Sequence, residues 1–406
     1  MLQRKANTYR LYPTSEQHLV LFQIAGACRA VYNLALEQRR DWWQKHKART
    51  GKAISFAGQC RELTDLRREI DWLREAPIHP LQQALRDLDR AYQGFFAGRS
   101  GYPSPRRKGR NDSFRFPDPT GLKVERTGKK TGRIKLPKLG WIAFRGWYAI
   151  PGTIRNITIS LRAGQWFASV QWEREVPGPV ASELPSVGID VGISVFAALS
   201  NGKTIAPENF GQKALKALRK AQRSLARKKK GSNNRRKALR RVQKLHARVA
   251  NARKDFLHKN STIIAKNHGM VAVEKLKVRN LSASASGTVE EPGRNVRQKS
   301  GLNRSILDQA WRLFFTLLGY KLVERGARLV EVPPAYTSQT CSACGHVDSA
   351  NRVSQARFVC RTCGYEENAD INAAKNILRR ADYPLKPVEG CRIGRPNEAG
   401  STRRAA

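Results

Sequence analysis

Apolar residues recur at helical spacing from about residue 14 to about residue 97. The clearest stretch, Leu81, Leu85, Leu88, Tyr92, Phe95 and Phe96, marks one face of an amphipathic helix. Thr14-Ser-Glu-Gln17 opens the region with the residues of a capping box, directly after Pro13 closes a short strand over Asn7–Tyr12. This pattern predicts a small helical domain. Gly101–Arg110 then reads as a Pro/Gly/Arg linker, and beyond it the period shortens to two. Arg133-Ile-Lys-Leu-Pro137, the alternating run Ile154–Leu161 and the run Gln165–Trp172 predict short strands separated by turns, the pattern of a small β-barrel. The N-terminal strand is expected to join that barrel, which makes the helical domain an insertion.

A further domain opens near Pro185. Two apolar strands each end in an acid, Val187-Gly-Ile-Asp190 and Val271-Ala-Val-Glu274. Between them, Leu215/Leu218/Leu225 and Leu239/Val242/Val249/Phe256 flank Lys228-Lys-Lys-Gly-Ser-Asn-Asn-Arg-Arg-Lys237, which predicts an antiparallel helical hairpin with a basic tip. Residues 282–303 form a polar loop long enough to be a lid. An apolar helix over about Ser305–Glu324 and a strand from Ala327 to Val332 follow. Past Asp382 the Pro/Gly/Arg-rich tail predicts disorder.

Charge narrows the partners. The 406 residues, length enough for two or three domains, carry 76 Lys and Arg against 32 Asp and Glu, a net charge of +44 with pI near 10.8. Between Lys213 and Lys259 there are 19 basic residues and one acid, Asp255. Repulsion on this scale is tolerable beside a polyanion, and nucleic acid is the natural one. A solvated charged face explains one side of a helix but not so one-sided a run. An acidic membrane surface fits poorly: no lipid signal is present, and the most apolar run, Leu19–Leu36, is interrupted by Gln23 and Arg29 and reads as a core helix. Residues 1–7 lack the apolar core of a secretory signal, so a cytoplasmic location without a membrane is expected.

Four of the seven cysteines stand as Cys341-x2-Cys344 and Cys360-x2-Cys363, separated by the 15 residues 345–359. Two such pairs on tight turns point four thiolates at one tetrahedral Zn²⁺, in keeping with a reducing cytosol. A filled shell leaves no place for water, so this zinc is structural rather than catalytic. Gly345 and Gly364 suit the turns. Cys28 and Cys60 read as buried hydrophobes and Cys391 as incidental. Almost directly behind the second pair comes Asn368-Ala-Asp370-Ile-Asn372. Taken singly, each acid has an ordinary reading, Glu274 as a strand end and Asp370 as a helix N-cap. Together, Asp190, Glu274 and Asp370 can hold two Mg²⁺ about 4 Å apart for in-line phosphodiester hydrolysis. His258 reads either as a phosphate contact or as helix packing. No P-loop, dinucleotide fingerprint or Ser/His/Asp set is present.

These residues resemble the TnpB family of insertion-sequence proteins, related to compact type V CRISPR effectors. The similarity runs from about residue 5 to 380. It is carried by Arg10-Leu-Tyr-Pro13, the run Leu81–Phe96, Lys135-Leu-Pro-Lys-Leu-Gly-Trp141, Gly188-Ile-Asp-Val-Gly192, Asn303–Asp308, Thr337–Gly345 and Ala369–Ala374. The resemblance implies a multi-domain α+β and α/β chain. Its parts are an OB-like wedge barrel (1–13 and 116–182), a helical recognition domain (14–115) and an RNase H-like RuvC nuclease domain (183–336 and 365–382). A zinc ribbon (337–364) is inserted, and a disordered basic tail (383–406) follows. It also implies an element-derived guide RNA, carried by a monomer, and cleavage of double-stranded DNA beside a short adjacent motif. Asp190, Glu274 and Asp370 fall on the family's RuvC acids. Gln82 matches a glutamine facing the adjacent-motif duplex, and the basic tip Lys228, Lys229, Lys230, Arg235 and Arg236 is assigned to nucleic acid. Many relatives have Asp where this chain has Asn368; the ligand position, Asp370, is kept. Alternatives are a CRISPR effector with an array-derived guide, a guided repressor that has lost its acids, and a DDE-type transposase, whose usual acid order is Asp, Asp, Glu.

Overall fold

The computed structural model describes residues 2–46, 51, 53–110, 112–176, 183–288 and 290–382. The tail expected over 383–406, with Cys391, and residues 177–182 lie outside the described residues. Two compact units emerge, Met1–Val176 with Lys228–Lys244, and Pro177–Arg227 with Leu245–Ala406.

In the first unit, strand β1 (Leu2–Tyr12) leads into helix α1 (Ser15–Lys45), which a capping box opens: the Thr14 hydroxyl accepts from Gln17 N–H at 3.2 Å and Gln17 accepts in return from Thr14 N–H at 3.1 Å. Helices α2 (Phe56–Glu69), α3 (Asp71–Glu75) and α4 (Ile78–Phe96) follow. Strands β2 (Ser113–Phe116), β3 (Lys123–Arg126), β4 (Thr131–Leu136), β5 (Gly140–Arg145), β6 (Thr153–Arg162) and β7 (Gln165–Glu175) complete it. The sheet is antiparallel, in the order β2-β6-β7-β1-β5-β4-β3. The N-terminal strand therefore sits in the middle, between two strands more than a hundred residues away in sequence. Strands β2 and β3 are edges that do not pair with one another, so hydrogen bonding leaves the sheet open where the sequence predicted a barrel. Residues of the helices (Leu21, Leu81, Leu85, Leu88) and of the sheet (Tyr9, Ile134, Phe144, Trp166) share one hydrophobic cluster. Among the described residues, α1 alone is long and apolar enough to cross a membrane, and half of its apolar window is buried in this core.

The second unit is built on a five-stranded sheet, order β10-β9-β8-β11-β12. Its strands are β8 (Ser186–Asp190), β9 (Ala197–Leu199), β10 (Thr204–Ile205), β11 (Met270–Glu274) and β12 (Arg328–Val332). Strands β8, β11 and β12 run parallel, and β9 and β10 are hairpinned on antiparallel. Helix α5 (Phe210–Ala226), the turn 227–232 and helix α6 (Asn233–Asn267) link β10 to β11, and of these Lys228–Lys244 belong to the first unit. Phe210 at the start of α5 meets Phe256 late in α6, with ring centroids 5.9 Å apart, as the predicted fold-back requires. Between β11 and β12 lie α7 (Val278–Leu281), α8 (Val296–Gln309) and α9 (Trp311–Val323). The single apolar helix predicted over 305–324 is thus two helices. Ala310 between them takes φ +55°, a left-handed conformation that ends one helix and redirects the next. The polar loop is correspondingly shorter, since α8 begins at Val296.

Strand parity decides what each face does. Val271 and Val273 of β11 lie in one cluster with Phe314 and Leu318, whereas Ala272 lies in another with Val332 and Ile377 of the last helix, α10 (Ala369–Asp382). Gly188 of β8 pairs with Ala272 and faces the same helix. A Cβ on Gly188 would stand 2.0 Å from Ala374 O and 2.8 Å from Leu378 N, so only glycine lets α10 lie this close to β8. Replacing Gly188 with Ala is therefore expected to lift α10 from the sheet at a cost of about 1–3 kcal/mol. A denaturant midpoint equal to that of the unaltered chain would rule the close docking out.

Candidate active site and the cysteine module

Asp190 and Glu274 each lie two residues beyond the Gly188–Ala272 pair, at the ends of neighbouring parallel strands. Parity turns both toward the α10 face. Asp370 lies in the first turn of α10, which is the element docked on Gly188. The cap of that helix is Asn368, whose side-chain oxygen accepts from Asp370 N–H at 3.0 Å and Ile371 N–H at 3.3 Å. The N-cap reading of Asp370 is thereby corrected: a neighbour does that work and leaves the carboxylate for the cavity. All three acids line one cavity of about 290 Å³, with Thr337, Arg352 and Gln355 among the other walls.

Burial and mutual repulsion govern the charges. Asp190 is pushed up to about 8, first by burial and then by the negative charges of Glu274 and Asp370, against the pull of Arg352 and the Val191 N–H. Burial also raises Glu274, opposed by the Thr337 hydroxyl that donates to its Oε1 and by the charge of Arg380. Burial raises Asp370 too, and Arg352 at 3.5 Å pulls it back. Arg380 is itself held by the carbonyls of Pro333 (3.0 Å) and Ala335 (2.6 Å). Three acids destabilised as anions in one desolvated pocket are suited to divalent cations, whose charge reverses that penalty.

The geometry of the four cysteines fits one tetrahedral zinc ion. The four sulfurs of Cys341, Cys344, Cys360 and Cys363 lie within 4.8 Å of one another. Cys341–Cys363 and Cys344–Cys360 are 3.7 Å and 3.6 Å apart, against the edge of about 3.8 Å that four Zn–S bonds of 2.3 Å define. Each pair sits on the same turn: Gly345 N–H donates to Cys341 O (2.9 Å) and Gly364 N–H to Cys360 O (3.0 Å), with both glycines at positive φ.

Two asparagines tie the module to the acid's helix. Asn372 donates to Thr340 O (2.9 Å) and accepts from Ser342 N–H (2.9 Å). One turn later Asn376 donates to Thr337 O (3.0 Å) and Thr340 O (2.6 Å). Both are buried. From the other side, Gln355 in the interval between the cysteine pairs donates to Ser194 in the loop after Asp190, at 3.1 Å. Sequence reasoning did not single out Asn376, Thr337, Arg352, Gln355 or Arg380 as functional. The Asn372/Asn376 pair had a signal, two amides at i and i+4 on one helix face. Arg352 and Gln355 had none, because nothing local marks which residue of the 15-residue interval turns toward the acids.

The remaining predicted contacts line no part of this cavity. Gln82 lies half-buried in α4 of the first unit. Lys228, Lys229, Lys230 and Arg236 are exposed in and beside the turn between α5 and α6. Arg235 is half-buried and donates to Lys228 O at 3.2 Å, closing that turn.

Comparison with known proteins adds the family. A family model described as "Probable transposase" matches residues 169–285, one described as "Cas12f1-like, TNB domain" matches 311–377, and one described as "Helix-turn-helix domain" matches 1–48. In this chain the last stretch is β1 followed by one uninterrupted helix over Ser15–Lys45. An Escherichia coli K12 protein, "Putative RNA-guided DNA endonuclease InsQ", is 44% identical over 401 residues, covering 98% of this chain and 97% of its own. A Streptomyces pristinaespiralis protein of like description is 35% identical over 382 residues, covering 92% and 89%. Among solved structures, a Cas12f1–sgRNA–target DNA complex superposes with TM-score 0.50 at 15% identity, over 93% of this chain and 98% of that one. The mini-RNA-guided endonuclease CRISPR-Cas_phi3 gives 0.51 at 12%, over 96% and 94%. At these identities the likeness speaks to fold alone.

Two measurements test this geometry. Cys360→Ser should abolish zinc content by mass spectrometry and lower the thermal stability of the second unit; retained zinc would contradict the four-sulfur site. In the folded, metal-free chain Asp190 keeps its proton to about pH 8, whereas the unfolded chain releases it near the ordinary 3.8. The folded state binds the extra proton between those values, so stability falls as pH rises through that window. Asp190→Asn should flatten the decline seen in urea midpoints of metal-free protein, and an identical slope in the variant would show that the charge on Asp190 is not its source.

Proposed function

The chain belongs to the TnpB family, and from that membership we propose that it is an RNA-guided DNA endonuclease, a divalent-metal-dependent phosphodiester hydrolase. The observation that carries the reading is the meeting of Asp190, Glu274 and Asp370 on one cavity from a strand end, its parallel neighbour and a helix start. The five-stranded sheet, three antiparallel strands with two parallel ones added beyond the first, supports an RNase H-like RuvC domain. All three acids are present, which favours a nuclease over a guided repressor that lacks them. Their order, Asp-Glu-Asp, disfavours a DDE-type transposase.

In this reading Asp190, Glu274 and Asp370 hold two Mg²⁺, which would supply a polarised water and neutralise charge at the scissile phosphate. The chain's own residues set the frame. Thr337 fixes one oxygen of Glu274, and Arg380, pinned by two carbonyls, lends that acid positive charge. Arg352 steadies Asp370. The four cysteines hold one structural Zn²⁺, and through Asn372 and Asn376 the zinc ribbon keeps α10, and so Asp370, in place.

Sequence reading is delegated to pairing between guide and target, and the protein supplies backbone contacts, shape recognition and chemistry. The charge of +44 matches that load. The element-derived guide RNA is bound in part by Lys228, Lys229, Lys230, Arg235 and Arg236, and Gln82 on α4 faces the adjacent-motif duplex, with the helical and wedge portions of the first unit as the recognition half. One copy of the chain on one RNA in the bacterial cytoplasm suffices. A compact CRISPR effector with an array-derived guide is the second reading, since the Cas12f1 of Sulfoacidibacillus thermotolerans is 29% identical over 231 residues, 53% of this chain.

Asp190→Ala is expected to abolish cutting of supercoiled plasmid in the presence of guide and Mg²⁺ while leaving RNA-directed DNA binding within about twofold. Full residual cleavage would remove Asp190 from the chemistry.

A further inference from the structure

The turn between β12 and the first cysteine pair holds a residue that neither the zinc site nor the acids account for. Tyr336 takes φ +61°. That left-handed region is costly for a bulky side chain and suits glycine or asparagine. The turn enforces it from both sides. The Tyr336 carbonyl accepts from Gln339 N–H at 3.1 Å, Thr340 N–H at 3.0 Å and the Thr340 hydroxyl at 2.7 Å. Just before it the Ala335 carbonyl holds Arg380 at 2.6 Å, and just after it the Thr337 hydroxyl bonds Glu274. The backbone therefore needs a left-handed step here, but it does not need a tyrosine.

The surroundings of the side chain offer no structural use for it. Tyr336 is 64% exposed. Among the described residues its side chain makes no hydrogen bond, ring contact or cation–π contact. Its place in the chain is close to the chemistry. Pro334 on one side and Thr337 and Ser338 on the other all wall the cavity that holds Asp190, Glu274 and Asp370. Val332, at the end of β12, pairs with Glu274 at the end of β11. The turn thus leaves the carboxyl edge of parallel strands, where open α/β sheets bind their ligands. A strained backbone carrying an idle aromatic ring at that edge marks a contact still to be made.

We infer that Tyr336 positions the strand to be cut: its ring stacks on an unpaired DNA base beside the scissile phosphate and holds that phosphate over the acids. The inference rests on the nuclease reading above. DNA is the occupant rather than guide RNA because the mouth of the acid cavity receives the strand that is hydrolysed, and the guide is not. The base is unpaired because bases inside a duplex stack on one another and hide their faces, whereas a single strand offers them to an aromatic side chain. Stacking of this kind tolerates any base, as a protein that leaves sequence reading to pairing requires.

The test uses the full chain loaded with its guide RNA, given target DNA and Mg²⁺, with cutting followed in a single turnover. Tyr336→Asn keeps a residue that accepts the left-handed turn and removes the ring. It is expected to raise the thermal midpoint by about 1–3 °C as strain is relieved. Cutting should slow about tenfold, within the range of one lost stacking partner, with zinc content and affinity for guide and target unchanged. Tyr336→Phe should cut at the rate of the unaltered chain. An abasic site stepped through the DNA around the cut should slow the unaltered chain about tenfold at one position and slow Tyr336→Asn no further there. Undiminished cutting by Tyr336→Asn, a midpoint that does not rise in it, or a loss that Tyr336→Phe shares each overturn the assignment. So does an abasic penalty that persists in Tyr336→Asn, or one that follows abasic sites in the guide instead of the DNA. Absence of cutting by the unaltered chain would instead sink the nuclease reading itself.

Discussion

The second unit depends on one close approach, that of α10 to β8 across Gly188. Sheet and helix normally pack through side chains; here the helix backbone rests against a residue with none. The contact lowers the first turn of α10 to the level of the strand ends, and three acids from distant parts of the chain come to share a desolvated space. Their anionic forms repel and lose water together, which is why Asp190 climbs so far from its ordinary range. The site carries a standing electrostatic cost that protons relieve in the metal-free chain and that divalent ions relieve in the proposed nuclease.

The cysteine module serves the same contact from behind. A four-thiolate site fixes a small loop-rich segment that has little core of its own, only Cys341, Phe358, Cys360 and Ala369 with Tyr365 against them. What that rigidity is for can be read from the asparagines. Asn372 and Asn376 spend their amides on the carbonyls of Thr337 and Thr340, and Thr337 in turn bonds Glu274. Module, helix and strand end are joined by short polar contacts rather than by a wide apolar interface. Such contacts are directional, so they set the position of the acids more sharply than burial alone would.

The first unit is organised on a different principle. One hydrophobic core runs through helices and sheet, and a cavity lined by aromatic rings with Arg39 and Arg40 opens on it.

Much of this was legible before any coordinates. The grouping of the four cysteines was, because two Cys-x2-Cys pairs leave few alternatives, and so were the strand-end acids, because a carboxylate closing an apolar strand demands a reason. The capping box at Thr14 and the fold-back after α5 were read from local pattern. Three features were not. The break at Ala310 turns on a left-handed φ that alanine gives no hint of. The open sheet turns on how far β2 and β3 stand apart, which no strand records. The choice of Asn368 over Asp370 as helix cap turns on which neighbour's side chain reaches the free N–H groups. By itself, then, the sequence determined which residue types carry charge, sulfur and periodicity, since these follow from local spacing. The tertiary structure decided which of them meet, placing Arg352, Gln355 and Thr337 beside the acids, because proximity across many residues comes from packing and leaves no mark on the local pattern.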